Sequence, residues 1–203
     1  MLTYTLRYLE LSDPMFSKIA DKISHSYPNS CILWIQELEN SELLAAYNNR
    51  KLVMQLDDRT AKHVVEKQLF HGTKASVIRS ICQNGFLTSC NKRAGFGKGT
   101  YLSPSAAYSF PYMLYGDHDE INGGQVSYMF YVDALLGRPL TFDGTKFQLG
   151  QEEIDPEKYD HGVGVLGNEI VISQDDAIYP RYVIAFHKNP VYTKEQTATY
   201  MPL

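Results

Sequence analysis

Cysteine is scarce in this chain: Cys31, Cys82 and Cys90 are the only three, an odd number without CxxC spacing. That pattern argues against a disulfide-framed scaffold and a structural zinc site, and no metal is expected. Long apolar runs are missing as well. No window reaches the roughly 18 uninterrupted apolar residues that a membrane-spanning helix needs. The opening residues, MLTYTLRYLELSDP, lack the basic start and apolar stretch of a signal peptide. The expectation is an intracellular protein, cytoplasmic or nuclear, with no membrane partner. Charge of one sign is not in excess either. Lys and Arg number 19 against 23 Asp and Glu, a net charge of −4, which speaks against a histone-like DNA binder. No internal repeat, low-complexity tract or Pro/Gly/Ser linker divides the sequence.

What is present suits a single core. The 203 residues are 44% apolar with a mean hydropathy of −0.29, and domains of about 100–200 residues are the rule. Tyrosine is abundant, with 15 copies against 9 Phe and 1 Trp. A flat apolar face with a polar tip suits a site that stacks rings. It equally suits β-strands.

Ser12-Asp13-Pro14 predicts a helix start, followed by Phe16, Ile19 and Ile23 on one face. Cys31–Leu38 reads as a strand, and Asn40/Ser41 as the cap of a second helix through Leu43, Leu44 and Tyr47. Gln68–His71 predicts a strand, and Ala75, Ile78, Ile81 and Cys82 a helix that stops at Asn84-Gly85. Thr100–Ser103, Gln125–Leu136, Asn168–Ser173 and Tyr179–His187 read as strands, with a short helix from Pro104 to Tyr115 broken or bent near Pro111. Helices come early and strands late, a pattern for α+β with an antiparallel sheet.

Several familiar chemistries are absent. The segment Gly95-Phe96-Gly97-Lys98-Gly99-Thr100 is glycine-rich, but a phosphate loop would need Gly where Lys92 stands and Ser or Thr where Gly99 stands. The dinucleotide fingerprint fails because the third glycine comes one position early. HExxH, GxSxG and the kinase motifs are also missing. Taken alone, the glycines describe a softened turn into a strand.

Four segments in order carry the strongest signal: Leu69-Phe70-His71-Gly72-Thr73, Gly97-Lys98-Gly99-Thr100-Tyr101-Leu102-Ser103, Ser109 with Tyr112, and Asn168-Glu169-Ile170-Val171-Ile172. Together they resemble the catalytic domain of the poly(ADP-ribose) polymerases, the diphtheria-toxin-like ADP-ribosyltransferases, with His71, Tyr101 and Glu169 as the H-Y-E constellation. Ile35–Tyr47 and Tyr179–Ile184 resemble two further segments of that family. The likeness runs over about residues 12 to 188.

The resemblance implies split antiparallel β-sheets with flanking helices around an NAD⁺ cleft, and cleavage of the nicotinamide–ribose bond with transfer of ADP-ribose. It implies that Gly72 would pair through its backbone with the nicotinamide carboxamide, and that Ser109 would add a hydroxyl. Tyr101 and Tyr112 would stack on the ring, while His71, helped by Thr73, would hold the adenosine ribose. Glu169 would accept from the nicotinamide-ribose 2′-OH beside the developing cation. An acid at this position permits chain elongation. It implies an acceptor protein, the chain itself included.

The domain reading is a catalytic domain over residues 1–190 and a tail over 191–203. The residues before His71 leave no room for a helical regulatory subdomain, so activation by DNA is not expected. Two other readings remain: a catalytically silent NAD⁺ or ADP-ribose binding module, and transfer to nucleic-acid ends at a basic patch around Lys92, Arg93 and Lys98. The acidic run Glu152, Glu153, Asp155, Glu157 and Asp160 reads as a solvated loop, or else as shaping the acceptor site or being itself a modification target.

Overall fold

In the computed structural model, residues 3–28, 30–90, 96–114, 126–142, 154–164 and 166–187 are described. Gly95, Tyr115, the basic pair Lys92 and Arg93, the acidic pair Glu152 and Glu153, and the tail lie outside them.

Local chemistry sets the helix starts. Asp13 accepts a hydrogen bond from the Met15 amide, and Pro14 opens α1 (Pro14–Ser26), whose Ile19 and Ile23 are fully buried. Asn40 caps α2 (Ser41–Leu56) by accepting from Leu43 N at 3.1 Å. Its amide also donates to the carbonyls of Cys82 at 2.9 Å and Gln83 at 3.2 Å, near the end of α3 (Ile78–Asn84). One buried side chain thus caps one helix and pins the end of another. Helix α4 spans Ala106–Leu114. The expected break at Pro111 does not occur. A proline here forfeits one amide bond, and Met113, buried two residues further on, holds the last turn against the core.

Two sheets form the frame. In the first, β1 (Thr5–Tyr8), β2 (Cys31–Glu39), β9 (Ile178–His187), β5 (Val126–Leu136) and β3 (Val65–Thr73) lie side by side in that order, all antiparallel. The second has the order β4 (Thr100–Leu102), β8 (Ile170–Ile172), β7 (His161–Val163) and β6 (Pro139–Thr141). Its pairs are antiparallel except β6 with β7, which is parallel. The α+β class with split, flanked sheets is therefore as the sequence indicates. The strand read over Asn168–Ser173 is shorter and begins only at Ile170.

Strand β5 is buried at all 11 positions because both faces of the large sheet are covered. Met129 and Tyr131 pack with Ile19 and Ile23 of α1 and Met113 of α4. Tyr128, Phe130 and Val132 point the other way, toward α2, α3 and the small sheet. Tyr179 and Tyr47 belong to that second core; the Tyr179 hydroxyl donates to Leu38 O at 2.9 Å and accepts from Asn40 N at 3.3 Å. Most tyrosines placed here are frame rather than site.

The described part of the acidic run is ion-paired rather than simply solvated. Asp155 meets Lys158, Glu157 meets Arg59, and Asp160 takes Arg138 Nε at 2.9 Å. Burial alone would raise the Asp160 pKa, but the Arg138 guanidinium and amide hold it below the usual carboxylate range. The three cysteines are unpaired. Among the described residues, no helix is long and apolar enough to cross a membrane.

His161 makes stability pH-dependent. It is 6% exposed, its Nδ1 has no hydrogen-bond partner among the described residues, and burial lowers its pKa from 6.5 to about 4. Between those values the unfolded chain binds a proton that the folded chain refuses, so stability is lost as pH falls through the window. The expected loss from this group is roughly 3 kcal/mol by pH 4. Urea unfolding of the wild type and His161→Gln at several pH values checks this. Parallel pH profiles would contradict it.

Candidate active site

A backbone bridge joins the two sheets. Phe70 N donates to Ser103 O at 2.7 Å and Ser103 N donates to Phe70 O at 2.9 Å, joining the edge of β3 to the residue after β4. Successive strand residues send their backbone groups to opposite sides. Since Phe70 bonds outward, Gly72, two residues on, also presents its N–H and C=O to the outer edge, away from β5. Beyond Ser103 the sheets diverge and a cleft opens.

Helix α4 closes one side of that cleft. A Cβ at Gly72 would stand 1.9 Å from the Ser109 carbonyl oxygen and 3.2 Å from Tyr112 Cβ. Only a residue without a side chain lets helix and strand come this close. The Ser109 hydroxyl, buried, donates to Phe70 O at 3.2 Å. Tyr112, on the same helix, is 54% exposed at the rim.

His71 Nδ1 lies 2.8 Å from Tyr101 O. A carbonyl only accepts, so Nδ1 carries the proton and Nε2 is left as an acceptor. Burial lowers the pKa of His71, with the Tyr101 bond opposing in part, which keeps the imidazole neutral. Its ring stands edge-on to Phe86 at 4.9 Å and 74°, which fixes its plane. Tyr101 is held at its far end, where its hydroxyl donates to Gly97 O at 2.9 Å and accepts from Phe96 N at 2.8 Å. Gly97 has φ 88°, the left-handed conformation this turn needs. Burial first of all pushes the Tyr101 pKa up to about 12, so it stays a neutral phenol.

Glu169 sits one residue ahead of β8. Tyr101 pairs with Val171 and Leu102 with Ile170, so continuing the register puts Glu169 opposite Ser103, at the point of divergence. The cleft is open to solvent and is lined by His71, Gly72, Tyr101, Ser109, Tyr112 and Glu169, together with Leu102, Ser103 and Tyr108. Six residues singled out in the sequence thus converge from four separate segments. Thr73, which ends β3, is not part of the lining. Tyr108 went unnoticed in the sequence, although it lies four residues before Tyr112 and therefore on the same helical face. Among the described residues, no three His, Cys, Asp or Glu side chains are grouped to hold a metal.

A cleft at the split between two antiparallel sheets, walled by tyrosines and ending in a carboxylate, defines an ADP-ribosyltransferase type of fold. The sequence pattern of the poly(ADP-ribose) polymerase catalytic domain matches residues 15–181, and the chain belongs to that family. Family enzymes take NAD⁺ as substrate. The chain is 28% identical to the human protein mono-ADP-ribosyltransferase PARP14 over 185 residues, 87% of this chain and 10% of the relative. It is 27% identical to mouse protein mono-ADP-ribosyltransferase PARP11 over 211 residues, 91% of this chain and 61% of that one. A tankyrase of Caenorhabditis elegans, named as a poly(ADP-ribose) polymerase, is 32% identical over 108 residues, 51% of this chain and 4% of the relative. The chain therefore spans less than two thirds of the length of each of these relatives.

The close approach at Gly72 is testable. Gly72→Ala should force α4 from β3 and abolish detectable binding of nicotinamide or NAD⁺ by calorimetry, with a loss of about 2 kcal/mol or more in stability. Binding at wild-type affinity would contradict the geometry.

Proposed function

We propose that this chain is an NAD⁺-dependent ADP-ribosyltransferase that releases nicotinamide and passes ADP-ribose to a protein acceptor, itself among the candidates. The observation that carries the reading is the outward-facing backbone edge of Gly72 inside a cleft lined by Tyr101 and Tyr112 and ending at Glu169. A planar amide needs one donor and one acceptor side by side, which an unpaired strand edge supplies. The Ser109 hydroxyl lines the same cleft and, with its proton given to Phe70 O, can accept a further hydrogen bond.

Positioning and charge do most of the work in such a reaction, because the nicotinamide nitrogen is cationic and already a good leaving group. Tyr101 and Tyr112 offer aromatic faces to the pyridinium, each worth roughly 0.5–2 kcal/mol. That attraction weakens as the ring becomes neutral, so it serves binding more than rate. His71 Nε2 accepts from a ribose hydroxyl at the adenosine end, with Thr73 near the end of the same strand. Glu169 accepts from the nicotinamide-ribose 2′-OH and favours positive charge at the anomeric carbon, as carboxylates do beside a glycosyl cation. His71, Tyr101 and Glu169 are then the catalytic set, and no metal takes part.

The catalytic domain is taken as residues 1–190 with a tail over 191–203. Activity without DNA is part of the proposal. So is an intracellular location. The mono-ADP-ribosyltransferase names of PARP14 and PARP11 favour one ADP-ribose per site, while Glu169 keeps extension chemically open. Mass spectrometry of the modified acceptor reads the product length.

Incubation with labelled NAD⁺ is the direct test. Label on protein together with free nicotinamide is expected. Binding without release of nicotinamide would make the chain a silent binding module, and label on nucleic-acid ends would change the acceptor. Glu169→Gln should lower kcat about a hundredfold while Kd for NAD⁺ stays within about threefold; undiminished turnover would refute its role. Tyr112→Ala should weaken a nicotinamide-like inhibitor about twofold to twelvefold through lost ring stacking, as read by calorimetry.

A further inference from the structure

We propose that Tyr108 is a positioning residue for Glu169, its phenol holding the carboxylate in one orientation at the end of the cleft. The proposal rests on the transferase reading above. Tyr108 donates its hydroxyl proton to Glu169 Oε1. The other oxygen, Oε2, is buried and has no hydrogen-bond partner among the described residues. A Cβ on Gly164 would stand 2.4 Å from Oε2 and 3.0 Å from Glu169 Cβ. The Gly164 amide in turn donates to the Glu169 carbonyl at 2.9 Å. The carboxylate is thus clamped, with a phenol at one oxygen and bare glycine backbone behind the other.

The clamp is needed because of where Glu169 lies. It precedes Ile170, the first residue of β8, so no strand ladder on both sides fixes its side chain. A misplacement of about 1 Å in a catalytic group can cost on the order of a hundredfold in rate. Helix α4 makes the correction, since it already runs against Gly72 and presents Tyr108 and Tyr112 on one face.

Tyr108 has one proton to give and gives it to Glu169. Burial, then the bond to Glu169, push the Tyr108 pKa well above its ordinary value, so it remains a donor.

Steady-state kinetics of the full chain with NAD⁺ test the proposal. Tyr108→Phe should lower kcat about tenfold, as expected for a lost hydrogen bond to a charged group, while KM for NAD⁺ stays within about threefold. In the Glu169→Gln background the same change should add less than about twofold, because the partner is already altered. Gly164→Ala, which leaves the phenol in place, should lower kcat similarly by pushing Glu169 aside, and it carries the test if Tyr108→Phe does not fold. Wild-type kcat in Tyr108→Phe, a loss expressed in KM, or full additivity with Glu169→Gln would overturn the proposal. An activity-independent reading comes from NMR of chain labelled with ¹³C at the glutamate carboxyls. The Glu169 resonance, assigned from Glu169→Gln, should move in Tyr108→Phe, and an unmoved resonance would overturn the link. If the wild type turns over no NAD⁺ yet the resonance moves, the transferase reading falls and the link stands.

Discussion

The close approach of α4 to β3 at Gly72 governs the rest of the site. Ser109 O comes so near the strand that no side chain fits there, and this contact aligns three features at once. The outward backbone edge of Gly72 faces the cleft, the Ser109 hydroxyl lines it, and one face of α4 carries Tyr108 and Tyr112 across the opening. The two buried cores hold the contact from either side of the large sheet. Met113 anchors the helix in one, while Leu102 ties the small sheet to the other.

The cleft itself follows from how the sheets part. Phe70 and Ser103 exchange backbone bonds in a single bridge between the sheets. Past them β3 continues through His71 to Thr73, and the other side turns away toward α4. Backbone groups that a continuous sheet would have paired are left to a ligand. His71 bridges the gap through Tyr101 O, which ties its tautomer to the strand opposite. Polar groups in the cleft are therefore oriented before any ligand arrives, which is where preorganised electrostatics gains its effect.

Much of the frame was legible in the sequence. Asp13-Pro14 and Asn40 announce two helix starts because capping is local chemistry. The strand reading of 125–136 is close to β5 because Val126, Tyr128, Phe130, Tyr131 and Val132 are β-branched or aromatic. Other features were not legible. The helix runs through Pro111 because Met113 is buried, which is a tertiary fact. The strand around Glu169 is short because its partner β4 has only three residues. The parallel pairing of β6 with β7 and the ion pairs of Asp155, Glu157 and Asp160 also depend on segments far apart in the chain or on loop geometry.

By itself the sequence determined the scarcity of cysteine, the absence of long apolar runs and the α+β order of elements, which depend on composition and local periodicity and persist without folding. Its resemblance to the poly(ADP-ribose) polymerase family pointed to His71, Gly72, Tyr101, Ser109, Tyr112 and Glu169. Only the tertiary structure decided that those six share one cleft, that Thr73 is outside its lining, and that Tyr108 and Gly164 confine the Glu169 carboxylate. The physical reason is distance. A hydrogen bond across 61 residues and a missing Cβ beside a distant carboxylate leave no mark on neighbouring positions, so they exist only once the sheets and α4 have packed.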